Sequence, residues 1–156
     1  MTKKKLAVGK AWFSLAIIFT YVAFCAFFFT YGRNAVQRAV DEMGQKQTMG
    51  GLGPAIMLMF AIITLIAFAV PAIMCLISSI GNFKGKGEKL VGFTVVGLIA
   101  EIFAIITLIF LTSFTFGAVQ YDALVMVVTG VFDLLVLVSF VHSIFVLAKQ
   151  KTADEE

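Results

Sequence analysis

Four long runs of apolar residues, about 11–31, 54–80, 90–114 and 122–148, dominate the chain, and polar residues gather almost wholly between them. A helix rising 1.5 Å per residue needs about 20 apolar residues to cross a hydrocarbon layer, so each run is long enough to span. The apolar character is continuous instead of alternating with period two, which excludes barrel strands. The pattern predicts an all-α integral membrane protein, a single up-down bundle of four transmembrane helices over residues 1–156.

Composition agrees. The 156 residues are 61% hydrophobic and only 13% charged, against roughly 25% charged in soluble domains. The formal charge of +3 does not imply nucleic acid, because the cations cluster in short flanks between apolar runs and form no basic face. The bilayer is their expected partner. Met1-Thr-Lys-Lys-Lys5 before an apolar stretch resembles a secretory signal, but the run is longer than an h-region of roughly 7–15 residues and no small-x-small cleavage site follows. It reads as a retained first helix.

The flanking cations set an orientation. Lys3, Lys4, Lys5, Lys10, Lys84, Lys86, Lys89, Lys149 and Lys151 fall on one side, and only Arg33, Arg38 and Lys46 on the other. Nine against three places both termini in the cytoplasm, with a bacterial inner membrane as the expected host. Lys3, Lys4, Lys5, Lys84, Lys86 and Lys89 are expected at anionic lipid headgroups. The loop Gly81–Lys89 is rich in glycine and lysine, yet it lacks the Walker spacing and a preceding strand. On the opposite side Arg33–Met43 carries Val36, Ala39, Val40 and Met43 at helical spacing. This predicts an extension of the first helix or a short surface helix, stopped by Gly44; a flexible link at Gly50–Gly53 and a new start at Pro54 follow.

Two features punctuate the spans. Pro71 should loosen the second helix, and Trp12, Tyr31 and Tyr121 fall at span ends, where amphipathic rings prefer to sit. Phe60-Ala-Ile-Ile-Thr-Leu-Ile66 recurs as Phe103-Ala-Ile-Ile-Thr-Leu-Ile109, which hints at internal repetition. Chance matches are common in such a composition.

Cys25 and Cys75 are isolated in apolar runs and read as small buried hydrophobes. With one histidine, His142, no metal-ligand set forms, and no cofactor is implied. His142 is expected near the inner surface, bonded among Ser139 and Ser143.

Chemistry narrows to two acids. Ionisable groups inside a span cost about 2.5–3.5 kcal/mol on insertion scales, and only Glu101 and Asp133 lie deep. Each is about 11 residues, roughly 17 Å, from its own helix start. Since spans 3 and 4 run antiparallel, both should reach the midplane as neighbours. Small and polar residues recur on their faces: Thr94, Gly97, Leu98, Ala104 and Ile105 flank Glu101, and Met126, Thr129, Gly130 and Leu137 lie near Asp133. Matching stripes run along span 2 (Ala61, Thr64, Pro71, Cys75, Ser78) and span 1 (Ala16, Thr20, Ala23). Small residues let membrane helices approach closely, so these faces should line the interior. No lysine or arginine is expected at that depth. Glu101 and Asp133, with Thr94 and Thr129, are therefore either neutral acids joining helices by hydrogen bonds or a site for a proton or cation.

The expected function is that of a non-enzymatic accessory or assembly subunit in a homo- or hetero-oligomer. The alternative is an oligomeric channel or cation-coupled transporter using the carboxyl pair. An enzyme would need a nucleophile and base that are not evident. Length and topology resemble MARVEL-type tetraspans and small multidrug transporters in outline, but the transporters' acid in helix 1 has no counterpart between Ala11 and Tyr31.

Overall fold

In the computed structural model, which describes residues 3–44, 52–86, 89–119 and 122–152, every element is helical. They are α1 (Lys3–Phe27), a π-turn (Phe28–Gly32), α2 (Arg33–Gly44), α3 (Leu52–Ala67), α4 (Ala69–Lys84), α5 (Lys89–Val119) and α6 (Ala123–Thr152). Four of the resulting helical rods are long and apolar enough to cross a membrane: Lys4–Arg38, Ile56–Lys84, Lys89–Gly117 and Ala123–Gln150.

The rods form an up-down bundle. The α1 rod packs on α4 and α6, and α5 packs on α3, α4 and α6, while α1 and α5 also touch across the middle. The start of α1 at Lys3 and the end of α6 at Thr152 therefore lie at one end of the bundle, called here the termini end. Asp122 and the α1–α2 junction mark the other.

Local sequence explains the breaks. Pro71 has no N–H for the carbonyl four residues back, and the helix is interrupted one turn earlier, at Phe68, between α3 and α4. In the π-turn, the Thr30 hydroxyl donates to the carbonyls of Ala26 (2.7 Å) and Phe27 (3.2 Å). The Phe28 ring folds over Gly32, where an added Cβ would lie 3.2 Å from it. The first helix does continue as α2, with Val36 buried beside Ala35 and Val125. The side chains of Ala39, Val40 and Met43, and the Gly50–Gly51 link, lie outside the described residues, as does Tyr121. The second rod begins at Leu52, two residues ahead of Pro54.

Asp122 caps α6: its Oδ1 accepts from the amides of Leu124 (3.1 Å) and Val125 (3.2 Å). Its Oδ2 faces Tyr31 Oη at 3.2 Å and the exposed Arg38 guanidinium at 3.5 Å. Asp122→Ala should cost about 1 kcal/mol, the usual value of an N-cap. Faster amide hydrogen exchange confined to the first turn of α6 would report it, and an unchanged first turn would remove the cap from the account.

At the termini end, Lys4 Nζ donates to the carbonyls of Asn82 (3.2 Å), Phe83 and Gly85 (3.0 Å), satisfying orphan acceptors at the C-terminus of α4. Lys4, itself exposed, thus ties the start of α1 to the end of α4. Lys5, Lys84, Lys86 and Lys89 are exposed; the Lys3 side chain lies outside those described. Gly81 allows close approach, since a Cβ there would collide with the Phe93 ring.

The distribution of polarity is inverted relative to a water-soluble bundle. Large apolar side chains cover the exterior, Phe19 at 70% and Ile66 at 64% exposure among them, while Lys10, Ser14, Ser78, Asn82, Thr94, Glu101, Ser139 and Ser143 are fully buried. The interior itself divides along its length. Those polar groups occupy the half near the termini. The other half is packed by Phe24, Phe28, Phe68 and Phe132 with Leu65 and Leu111, and the Phe132 ring lies 5.4 Å from Phe24 and 5.2 Å from Phe68. The two copies of the Phe-Ala-Ile-Ile-Thr-Leu-Ile heptapeptide occupy matching environments: Ala61 and Leu65 are buried in one, Ala104 and Leu108 in the other. Thr64 and Thr107 each donate to the carbonyl four residues back at 2.7 Å.

Candidate functional site

Glu101 and Asp133 do not share a site. The Glu101 carboxylate is paired with Lys10, whose Nζ donates to Oε1. Ser139 Oγ donates to the same oxygen. Ser143 Oγ stands 2.6 Å from Oε2 and 2.9 Å from the Ser139 carbonyl. Three helices, α1, α5 and α6, therefore converge on one carboxylate with no exposure to the exterior. Buried ion pairs persist only with such additional hydrogen bonds, because desolvation otherwise outweighs attraction.

The expectation that no cation reaches this depth is overturned by Lys10. Residue 10 lies just outside the apolar run that begins at Ala11, so hydropathy assigns it to a flank. The helix does not end with the run: α1 starts at Lys3, and Lys10 lies inside it. It shares a face with Ala7, Ser14 and Ile17, all buried, at the spacing of one helical stripe. That phase was readable from the sequence. Its stem passes over Gly97, where an added Cβ would be 2.8 Å from Lys10 Cε and 2.5 Å from Ser78 Oγ.

Asp133 sits elsewhere. Its Oδ2 accepts from Thr112 Oγ1 at 2.9 Å, while its buried Oδ1 has no partner among the described residues. From Asp133 to the serines that hold Glu101 is six to ten residues of α6, about 9–15 Å along the axis. From Glu101 to Thr112 is eleven residues of α5, about 17 Å. Counting eleven residues inward from opposite ends brings two groups together only in helices of about 22 residues. Here α5 and α6 have 31 and 30, so Glu101 lies in the termini half and Asp133 in the other.

The remaining expected site residues serve their own neighbourhoods. Thr94 Oγ1 donates to the Leu90 carbonyl at 2.9 Å and lies 3.3 Å from Asn82 Oδ1. Thr129 donates to the Val125 carbonyl at 2.8 Å. Neither hydroxyl is bonded to an acid. His142 is not bonded to Ser139 or Ser143, whose hydroxyls turn to Glu101; its ring lies 4.5 Å from Phe13, and its Nδ1 has no partner among the described residues. Thr94, Gly97, Ala104, Ala61, Pro71, Cys75, Ser78 and Thr129 do face inward, but Ala23, Gly130 and Leu137 are exposed. Span 1 turns Lys10 and Ser14 to the interior in place of the Ala16, Thr20, Ala23 stripe.

Asp133 opens onto a groove between α5 and α6. It encloses about 390 Å³ and is lined by Ile105, Leu108, Ile109, Thr112, Ser113, Asp133 and Leu137. The groove's polar lining is the Asp133 carboxyl group and the hydroxyls of Thr112 and Ser113, within otherwise apolar walls. Among the described residues no three His, Cys, Asp or Glu side chains converge as metal ligands. None of the protein-family models, curated proteins or solved structures compared with the chain matches it.

Proposed function

We propose that this chain is an integral membrane protein, with both termini on the cytoplasmic side of a bacterial plasma membrane, that serves as a non-enzymatic assembly subunit. Its apolar exterior suits lipid as solvent. Even with Lys10 removed from the count of nine, eight cations flank the termini end against three at the other, and this bias supports the orientation.

The observation that carries the assembly reading is the position of Asp133. An acid within a span is expensive, and here the carboxyl group belongs to the wall of a groove on the outer surface, with one buried oxygen that has no donor among the described residues. Glu101, the other deep acid, is neutralised and bonded within the chain, whereas Asp133 has one hydroxyl donor and no cation beside it among the described residues. A channel or transporter built on a shared carboxyl pair has less support, because the acids are held apart and the Phe24, Phe68, Phe132 layer fills the bundle beyond Glu101.

Native mass spectrometry of the chain extracted from its own membrane in lipid nanodiscs tests this. The expected result is a defined complex, of several copies or with a second membrane protein. A chain that leaves the membrane only as a monomer, at every expression level, would sink the proposal.

A further inference from the structure

We propose that the α5–α6 groove receives a transmembrane helix of a second, different protein carrying a lysine or arginine at the depth of Asp133. This rests on the assembly reading and specifies its partner. The cleft between two antiparallel helices is a natural seat for a third. One turn from Asp133, Gly130 is exposed, and a Cβ built on it meets nothing within 4 Å. A foreign backbone can therefore come close at this point, as small residues permit in membrane bundles. Exposed Leu134 and Leu137 offer apolar contact on the same stretch.

Charge selects the occupant. Thr112 supplies a single donor to Oδ2, and Oδ1 remains a buried acceptor without a donor among the described residues. In a low-dielectric setting an ammonium or guanidinium is the complement of a carboxylate. A second copy cannot supply one. Among the described residues, the only cation that lies deep is Lys10, which is committed to Glu101. Two-fold packing of α6 on α6 would set Asp133 against Asp133.

The test uses the full chain in liposomes with labelled synthetic peptides: a leucine-alanine transmembrane host bearing one central lysine, and the same host with leucine there. Energy transfer reports association. The lysine peptide should bind about tenfold more tightly than the leucine peptide, and Asp133→Asn should remove that preference. Asp133→Lys should transfer it to a host with a central aspartate. Gly130→Leu should weaken lysine-peptide binding with the unfolding transition unchanged.

Equal binding of the two peptides, or a preference that survives Asp133→Asn, overturns the inference. So does efficient disulfide formation between two chains carrying Leu137→Cys in the absence of peptide, which would assign the groove to a second copy. Saturation of the groove by decylammonium with no peptide discrimination would assign it to a small lipophilic amine and also overturn it. All these outcomes leave the assembly reading standing, whereas a monomer in native nanodiscs removes that reading whatever the peptides do.

Discussion

Glu101→Gln should destabilise the bundle by about 3–5 kcal/mol, the range for removing one partner of a buried ion pair. The amide oxygen keeps the bond from Ser139, and the amide nitrogen can donate to Ser143 Oγ, whose own proton turns to the Ser139 carbonyl at 2.9 Å, so the loss chiefly reports what Lys10 suffers when its counter-charge is gone. Lys10→Met should cost a similar amount by stranding the carboxylate. Combining the two changes should recover most of the loss, because a neutral pair of similar volume carries no desolvation penalty. Reversible unfolding in mixed micelles, arranged as a double-mutant cycle, measures this directly. Strictly additive losses would mean that Lys10 and Glu101 are not coupled. The expected signature is a double variant more stable than either single one.

Gly97→Ala should cost about 1–3 kcal/mol by overpacking. Its new methyl would stand 2.5 Å from Ser78 Oγ and 2.8 Å from Lys10 Cε. Relief by moving Ser78 breaks that hydroxyl's 2.7 Å bond to the Phe93 carbonyl. Relief by moving the lysine disturbs its pair with Glu101. The effect should therefore shrink in the Ser78→Gly background, where the nearer obstacle is absent. Equal penalties in both backgrounds, read from the same unfolding assay, would show that the helices separate instead of adjusting side chains.

The four spans were legible because continuous apolar length is a coarse quantity, insensitive to a few residues at either end. The site was less so. Hydropathy misplaces Lys10 because it treats a cation as a boundary, whereas the helix runs seven residues further back, to Lys3, and turns residue 10 inward. Asp133 was misplaced for a related reason: its depth was counted from one end on the assumption that each helix is only as long as the hydrocarbon is thick. An error of several residues in length becomes an error of several ångströms in register. His142 lost its expected partners once Ser139 and Ser143 were drawn to Glu101, a competition that cannot be ranked without knowing which helix faces which. The seam of Thr94, Gly97, Ala104 and Cys75 was readable, since small-residue spacing depends only on helical phase. Gly130 matched the same signal but faces outward, and a glycine looks alike on either face.

The pairing of residue 10 with residue 101 also imposes an order on biogenesis. When α1 and the α3–α4 rod are made, they can already join through Lys4 at the end of α4 and through Ser79, whose hydroxyl donates to the Ala11 carbonyl at 3.1 Å. Lys10 at that stage has no counter-ion, and its long stem lets the ammonium reach toward the nearby aqueous boundary. Glu101 arrives with α5, and its serine donors come only with α6. A nascent chain halted before α6 therefore carries the Glu101 carboxylate without its two serine donors.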